Sequence, residues 1–225
     1  MEVKPLIVFD MDGVLVDVTE SYRETIRRTV HHFTGREIDR ELIQDYKNAG
    51  GWNNDWALSQ KIIADLGCEV PYDSVVKQFQ AIFFGENKDG LVLRERWIPQ
   101  DGLLERLAAS YHLAIFTGRL RWEAQFSLDR FVPSIPWTQI VGDDDVSNSK
   151  PDPDGLLIII RSHPESKVFY VGDTVDDARA ARAADVPFIG IAHRENPRHG
   201  ELVNLLQQEN AIAVLDNINQ IESVL

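Results

Sequence analysis

The chain has 225 residues, 44% of them hydrophobic and 26% charged, values that suit a soluble globular protein of one domain or one domain with an insertion. A formal net charge of −13 leaves no basic stripe to neutralise a phosphate backbone, so no nucleic-acid partner is expected. Cys68 is the single cysteine and no apolar stretch is long enough to span a bilayer. With Met1–Pro5 reading straight into a strand and no signal peptide, the expectation is a cytoplasmic protein without an internal disulfide or a membrane partner.

In chain order, the apolar run Leu6-Ile7-Val8-Phe9 has strand character and stops at Asp10-Met11-Asp12-Gly13. After Asp17 the period changes. Tyr22, Ile26, Val30 and Phe33 recur at helical spacing, with Thr19 or Ser21 as N-cap. Three more helical stretches, roughly 40–48, 55–66 and 72–84, are punctuated only by turns at Gly35, Gly50-Gly51 and Gly67. From Asp101 the pattern alternates: helix 101–109, strand 113–116, helix 121–131, strand 139–142, helix 153–161, strand 168–171, helix 176–184, strand 188–191, and a last helix near 217–225. Such alternation predicts an α/β, Rossmann-like, mostly parallel sheet core with helices on both faces. The helical block is an inserted α-helical cap domain, giving a core of 1–17 and 95–225 and a cap of 18–94. The connections near 17–20 and 90–98 are the expected hinges, the second eased by Gly85 and Gly90.

The second acidic segment, Gly172-Asp173-Thr174-Val175-Asp176-Asp177, follows the apolar run Val168-Phe169-Tyr170-Val171. If both runs are parallel neighbours in one sheet, Asp10, Asp12, Asp173 and Asp177 converge where such sheets bind ligands, at the carboxyl ends of the strands. Like charges at close range oppose joint ionisation. A hard cation with oxygen ligands resolves that conflict, and Mg²⁺ held with a phosphate is the usual form. Leu113-Ala114-Ile115-Phe116 ends in Thr117-Gly118-Arg119, a hydroxyl and a glycine amide suited to a phosphate oxygen. Ser149-Lys150-Pro151 supplies one lysine as a point charge.

An acid pair, a threonine, a lysine and a second acid cluster, in that order, resemble the four motifs of the haloacid dehalogenase-like hydrolase superfamily, across nearly the whole chain. The helical insert is similar to a type-1 cap, and the chain resembles the phosphoglycolate phosphatase-like branch. The resemblance implies Asp10 as nucleophile forming an aspartyl-phosphate, Asp12 as general acid and base, and Thr117 and Lys150 around the phosphoryl group. It implies Mg²⁺ on Asp10, Asp12 (through its backbone carbonyl), Asp173 and Asp177. The second acid, Asp12, favours phosphoryl transfer over dehalogenation, which has no leaving oxygen to protonate.

Gly118 and Arg119 on the core, and Asn48, Trp52 and Asn53 in the cap segment 48–56, are the candidate substrate contacts, with Arg121 and Trp122 beside them. For the cap segment two readings stand: contact with a polar or ring-bearing substrate, or a helix-capping turn with Trp52 and Trp56 in the cap core. Asp176 is open between the site and a helix cap. Asp143-Asp144-Asp145 reads as a solvated loop near the site mouth, and none of the six histidines has ligand spacing. The leading expectation is a Mg²⁺-dependent phosphatase of a small phosphorylated metabolite, monomer or homodimer. The alternatives are a phosphomutase of the β-phosphoglucomutase type, a phosphonate hydrolase using Lys47 or Lys61, and a non-catalytic binding protein.

Overall fold

The computed structural model describes residues 4–225; the first three residues of the segment read as lacking a signal peptide lie outside them. The chain divides into two units: one runs to Val16 and resumes over Trp97–Leu225, the other is Asp17–Arg96. The two-residue strands β2 (Val16–Asp17) and β3 (Arg96–Trp97) mark the crossings.

The first unit is built on a six-stranded sheet in the order β5-β4-β1-β6-β7-β8, every neighbouring pair parallel. Its strands are β1 (Leu6–Phe9), β4 (His112–Phe116), β5 (Trp137–Val141), β6 (Val168–Gly172), β7 (Phe188–Ile191) and β8 (Ala213–Leu215). Helices α5 (Leu103–Ser110), α6 (Arg121–Phe131), α7 (Asp154–Ser162), α8 (Val175–Ala183) and α9 (His199–Gln208) intervene. Strands covered on both faces need continuous apolar sequence, and all four residues of β1 are fully buried. Leu6 and Val8 point into a core shared with Phe116, Leu156, Ile159, Tyr170, Ala178, Ala181 and Leu206. Alanines on α8 and Gly155 on α7 permit close approach; a Cβ on Gly155 would stand 2.1 Å from the Phe116 ring.

Phe9 is in register with Ile115 on one side and Val171 on the other. Strand order reverses at β1, so the residues following β1, β4 and β6 gather at the switch point where α/β sheets place ligands.

The end of the chain departs from the sequence reading. Helix α9 and strand β8 are added, and the expected last α-helix is a 3-10 segment, Ile218–Ser223. Its two buried residues, Ile218 and Ile221, are three apart, which one 3-10 turn already brings to the same side.

The second unit holds α1 (Tyr22–Thr34), α2 (Arg40–Ala49), α3 (Asp55–Asp65) and α4 (Tyr72–Phe83), then a 3-10 turn, Leu91–Arg94. Tyr22 of α1 meets Phe79 and Phe83 of α4 at centroid distances of 5.9 and 4.0 Å, forming its aromatic core. Local signals set the ends. Gly35 stops α1 with φ +66°, Asp39 caps α2 through the Leu42 amide at 2.8 Å, and Asn54 caps α3 through the amides of Trp56 and Ala57. Ser21 precedes α1, but its hydroxyl makes no capping bond. Among the described residues no helix is long and apolar enough to cross a membrane.

Candidate active site

Asp10 leaves β1 with its amide still donating to Val171 O at 2.8 Å, so the sheet itself fixes the carboxylate's origin. The chain then turns tightly, because the Met11 carbonyl accepts from the amides of Val14, Leu15 and Val16. Gly13 sits in this turn at φ +73°, and a Cβ there would fall 1.9 Å from Asp173 Oδ2. The His193 ring contributes from beyond β7, its Nε2 2.8 Å from the Gly13 carbonyl oxygen.

Lys150 is buried between two acids, with Nζ 2.8 Å from Asp10 Oδ1 and 2.8 Å from Asp177 Oδ1. The rings of Phe116 and Tyr170 flank the ammonium at 4.7 and 5.5 Å. Asp177 is fully engaged. Its Oδ1 accepts from Lys150 and from the Tyr170 hydroxyl at 2.6 Å, and its Oδ2 accepts from the Asp173 amide, the Thr174 amide and the Thr174 hydroxyl. Thr174 also caps α8, accepting from the Asp177 amide at 3.1 Å. Asp176 is therefore not the cap; it lies buried in the first turn of that helix.

Burial is the largest influence on Asp10 and pushes its carboxyl up; Lys150 opposes the shift, Asp177 and Asp12 reinforce it, and the group reaches about 7. Burial alone would lower Lys150, but Asp10 and Asp177 outweigh it and hold the ammonium above its ordinary value. For Asp177 burial acts upward, yet Lys150 and the bonds from Thr174 and Tyr170 bring the net shift down. Burial, then the charge of Asp177, raises the Tyr170 phenol.

Oxygens of Asp10, Asp173 and Asp177 lie within 4.8 Å of one another. An all-oxygen set of this size suits a hard divalent cation. The five donors already on Asp177 leave its oxygens little to offer an ion directly, whereas Asp173 lies against the turn that Gly13 keeps open. Gly13→Ala should therefore displace Asp173 and weaken divalent-cation binding about 10- to 100-fold by calorimetric titration. Unchanged affinity would show that Asp173 does not need that space.

The raised Asp10 value also sets a pH dependence. In metal-free protein its contribution to stability is present below the ordinary 3.8 and is lost as pH rises through about 7. A cation that binds the ionised carboxylate offsets that loss. The rise in melting temperature on adding Mg²⁺ is expected to be larger at pH 8 than at pH 5.5, and a rise equal at both would refute the assignment.

Thr117 follows β4 and is buried, its hydroxyl accepting from the Arg119 amide at 3.2 Å, with Gly118 partly exposed between them. Arg119 departs from the expected substrate contact. Its side chain is buried, with Nε 2.8 Å and Nη2 2.5 Å from Asp12 Oδ1 and Nη1 2.9 Å from Ser127 Oγ. Arg121 is likewise taken up, its amide by Asp144 and its Nε by Asp145, so the Asp143–Asp145 turn, none of whose residues is buried, also braces the start of α6. Trp122 is exposed.

In the helical unit, Asn48 Oδ1 accepts from Gln44 at 2.8 Å, and the Nδ2 atoms of Asn48 and Asn53 are buried without a hydrogen-bond partner. Trp52 meets the Tyr46 ring edge-on at 5.9 Å. Lys47 lies 2.6 Å from Asp55 Oδ1, a close ion pair whose angle is not that of a hydrogen bond, and Lys61 pairs with Asp65 at 2.5 Å. Neither lysine is an unpaired amine of the kind an imine-forming phosphonate hydrolase requires.

The acids, threonine and lysine thus occupy one carboxyl edge, and residues 7–191 match the family model for haloacid dehalogenase-like hydrolases. The chain belongs to that family. Among curated relatives of this haloacid dehalogenase-like hydrolase, an imidazoleglycerol-phosphate dehydratase of Phytophthora nicotianae is 32% identical, over 82% of this chain but only 42% of that protein. A phosphoglycolate phosphatase of Colwellia psychrerythraea is 25% identical over 91% of this chain and 90% of its own length. Among solved structures, a phosphatase from Thermococcus thioreducens superposes with a TM-score of 0.65 at 26% identity, covering 90% of this chain and 99% of that one.

Proposed function

We propose that this hydrolase is a Mg²⁺-dependent phosphomonoesterase acting on a small phosphorylated metabolite through an aspartyl-phosphate. The observation that carries the reading is the placement of Asp10: at the end of the central strand, bonded to a buried lysine and within ligand distance of Asp173. Bound at Asp10 and Asp173, a divalent ion would neutralise phosphoryl charge.

The chain's own residues do the rest. A carboxylate oxygen of Asp10 attacks phosphorus, and the ester oxygen departs with a proton from Asp12. Asp12 then takes a proton from the water that attacks the phosphoryl group, releasing inorganic phosphate and restoring Asp10. The Thr117 hydroxyl and the Gly118 amide receive phosphoryl oxygens, and Lys150 balances the charge that builds there. Asp177 acts by holding Lys150 and the start of α8 in place. In the helical unit we assign substrate selection to Asn48, Trp52 and Asn53, supported by the two buried amide nitrogens that lack a partner.

The test is phosphate release with Mg²⁺ from a panel of small phosphate esters, run beside Asp10→Asn. The relatives' names put phosphoglycolate and an imidazole-bearing alkyl phosphate in the panel. Release that disappears in the variant supports the reading. An isomerised sugar phosphate with little free phosphate would replace it with a mutase. Activity persisting in Asp10→Asn would overturn the assignment of the nucleophile.

A further inference from the structure

Arg119 is held at both ends. Its amide donates to Thr117 Oγ1 at 3.2 Å, its carbonyl accepts from the Asp143 amide at 2.8 Å, and its guanidinium reaches Ser127 Oγ on α6 at 2.9 Å. With 1% of its side chain exposed, it has almost no rotameric freedom and no open face for a substrate phosphate. Nε and Nη2 both fall on one oxygen of Asp12, Oδ1, at 2.8 and 2.5 Å. The usual arginine–carboxylate fork takes both oxygens, one donor to each. Here the second oxygen, Oδ2, is left outside the fork.

We propose that Arg119 is the positioning residue for Asp12, pinning Oδ1 and presenting Oδ2 as the oxygen that passes the proton to the leaving group and later accepts one from water. This rests on the phosphatase reading above. Both donors of the fork already occupy Oδ1, so Oδ2 is the oxygen left open toward a leaving group. Asp12 lies on a turn, and its side chain is 29% exposed; without the fork its carboxylate would rotate freely. Ser127 and the backbone bonds of residue 119 make the fork rigid before any substrate arrives, which is the requirement for efficient proton transfer.

Positioning of a general acid has a signature that general destabilisation lacks. An ester with a good leaving group departs without protonation; an alkyl ester does not. We would measure kcat/KM, which reports steps through departure of the alcohol, for p-nitrophenyl, phenyl and alkyl phosphates in wild type, Arg119→Lys, Arg119→Met and Ser127→Ala, each checked by thermal melting. The expected result is a loss of about 100-fold on the alkyl phosphate in Arg119→Met against about threefold on p-nitrophenyl phosphate. Arg119→Lys should recover part of the alkyl activity, and Ser127→Ala should show a smaller loss that again falls hardest on the alkyl phosphate.

Equal losses on all esters, or no loss, would overturn the proposal. Should Arg119→Met fail to fold, the slopes of Arg119→Lys and Ser127→Ala decide in the same way. A wild type inactive on every ester would instead refute the phosphatase reading, so the two failures are distinct.

Discussion

Lys150→Met is expected to lower stability by about 3–5 kcal/mol, the range for removing one member of a buried ion pair. At this chain length that is a fall of about 10 °C in melting temperature. The cause is specific: Asp10 and Asp177 each stand 2.8 Å from the same ammonium, and without it two carboxylates face each other away from water. Turnover should vanish as well, since in the proposed mechanism the lysine is also the fixed charge beside the phosphoryl group. The deficit should shrink as the pH falls and the stranded carboxyls take up protons. Combining Lys150→Met with Asp10→Asn should recover part of the loss, because the second change removes one of the stranded charges. A double-mutant cycle by chemical denaturation measures that coupling; strict additivity would mean that the two groups do not interact.

Asp10→Asn is expected to move activity and stability in opposite directions. Loss of the proposed nucleophile should reduce turnover by at least about 10⁴-fold, the scale seen when a covalent nucleophile is removed. Yet burial pushes the Asp10 carboxyl up to about 7, so at pH 8 the metal-free fold carries a charge it would hold more easily as a neutral group. The amide removes that charge, and the variant should melt higher than wild type at pH 8 without metal, with the difference narrowing toward pH 4. An inactive variant that is also less stable at pH 8 would show that Asp10 serves mainly to hold Lys150.

Much of this was legible in the sequence because the relevant signals are local. Asp10, Thr117 and Asp173 each follow closely on an apolar run, and alternation of strand and helix is enough to bring those ends to one edge. The helical unit was legible for a similar reason: glycines end its helices and Asn54 opens one. What escaped notice depends on contacts between distant segments. Tyr170 sits inside an apolar strand, where an aromatic needs no special reason, and only the fold shows its hydroxyl on Asp177. Arg119 reads in the sequence as a substrate contact two residues after Thr117; its capture by Asp12 joins positions far apart in the chain. The short strand Ala213–Leu215 is half-buried at a sheet edge and too brief to have a recognisable period.

The position of β1 also dictates an order of assembly. Leu6 pairs with His112 on one side and Val168 on the other, so the strand that leads to Asp10 is synthesised before both of its neighbours. Pairings of such long sequence separation form slowly and leave an apolar strand exposed meanwhile. Residues Asp17–Arg96, by contrast, are contiguous. On the ribosome, Leu6–Phe9 therefore lacks one of its two strand neighbours until the chain has been made through Val171.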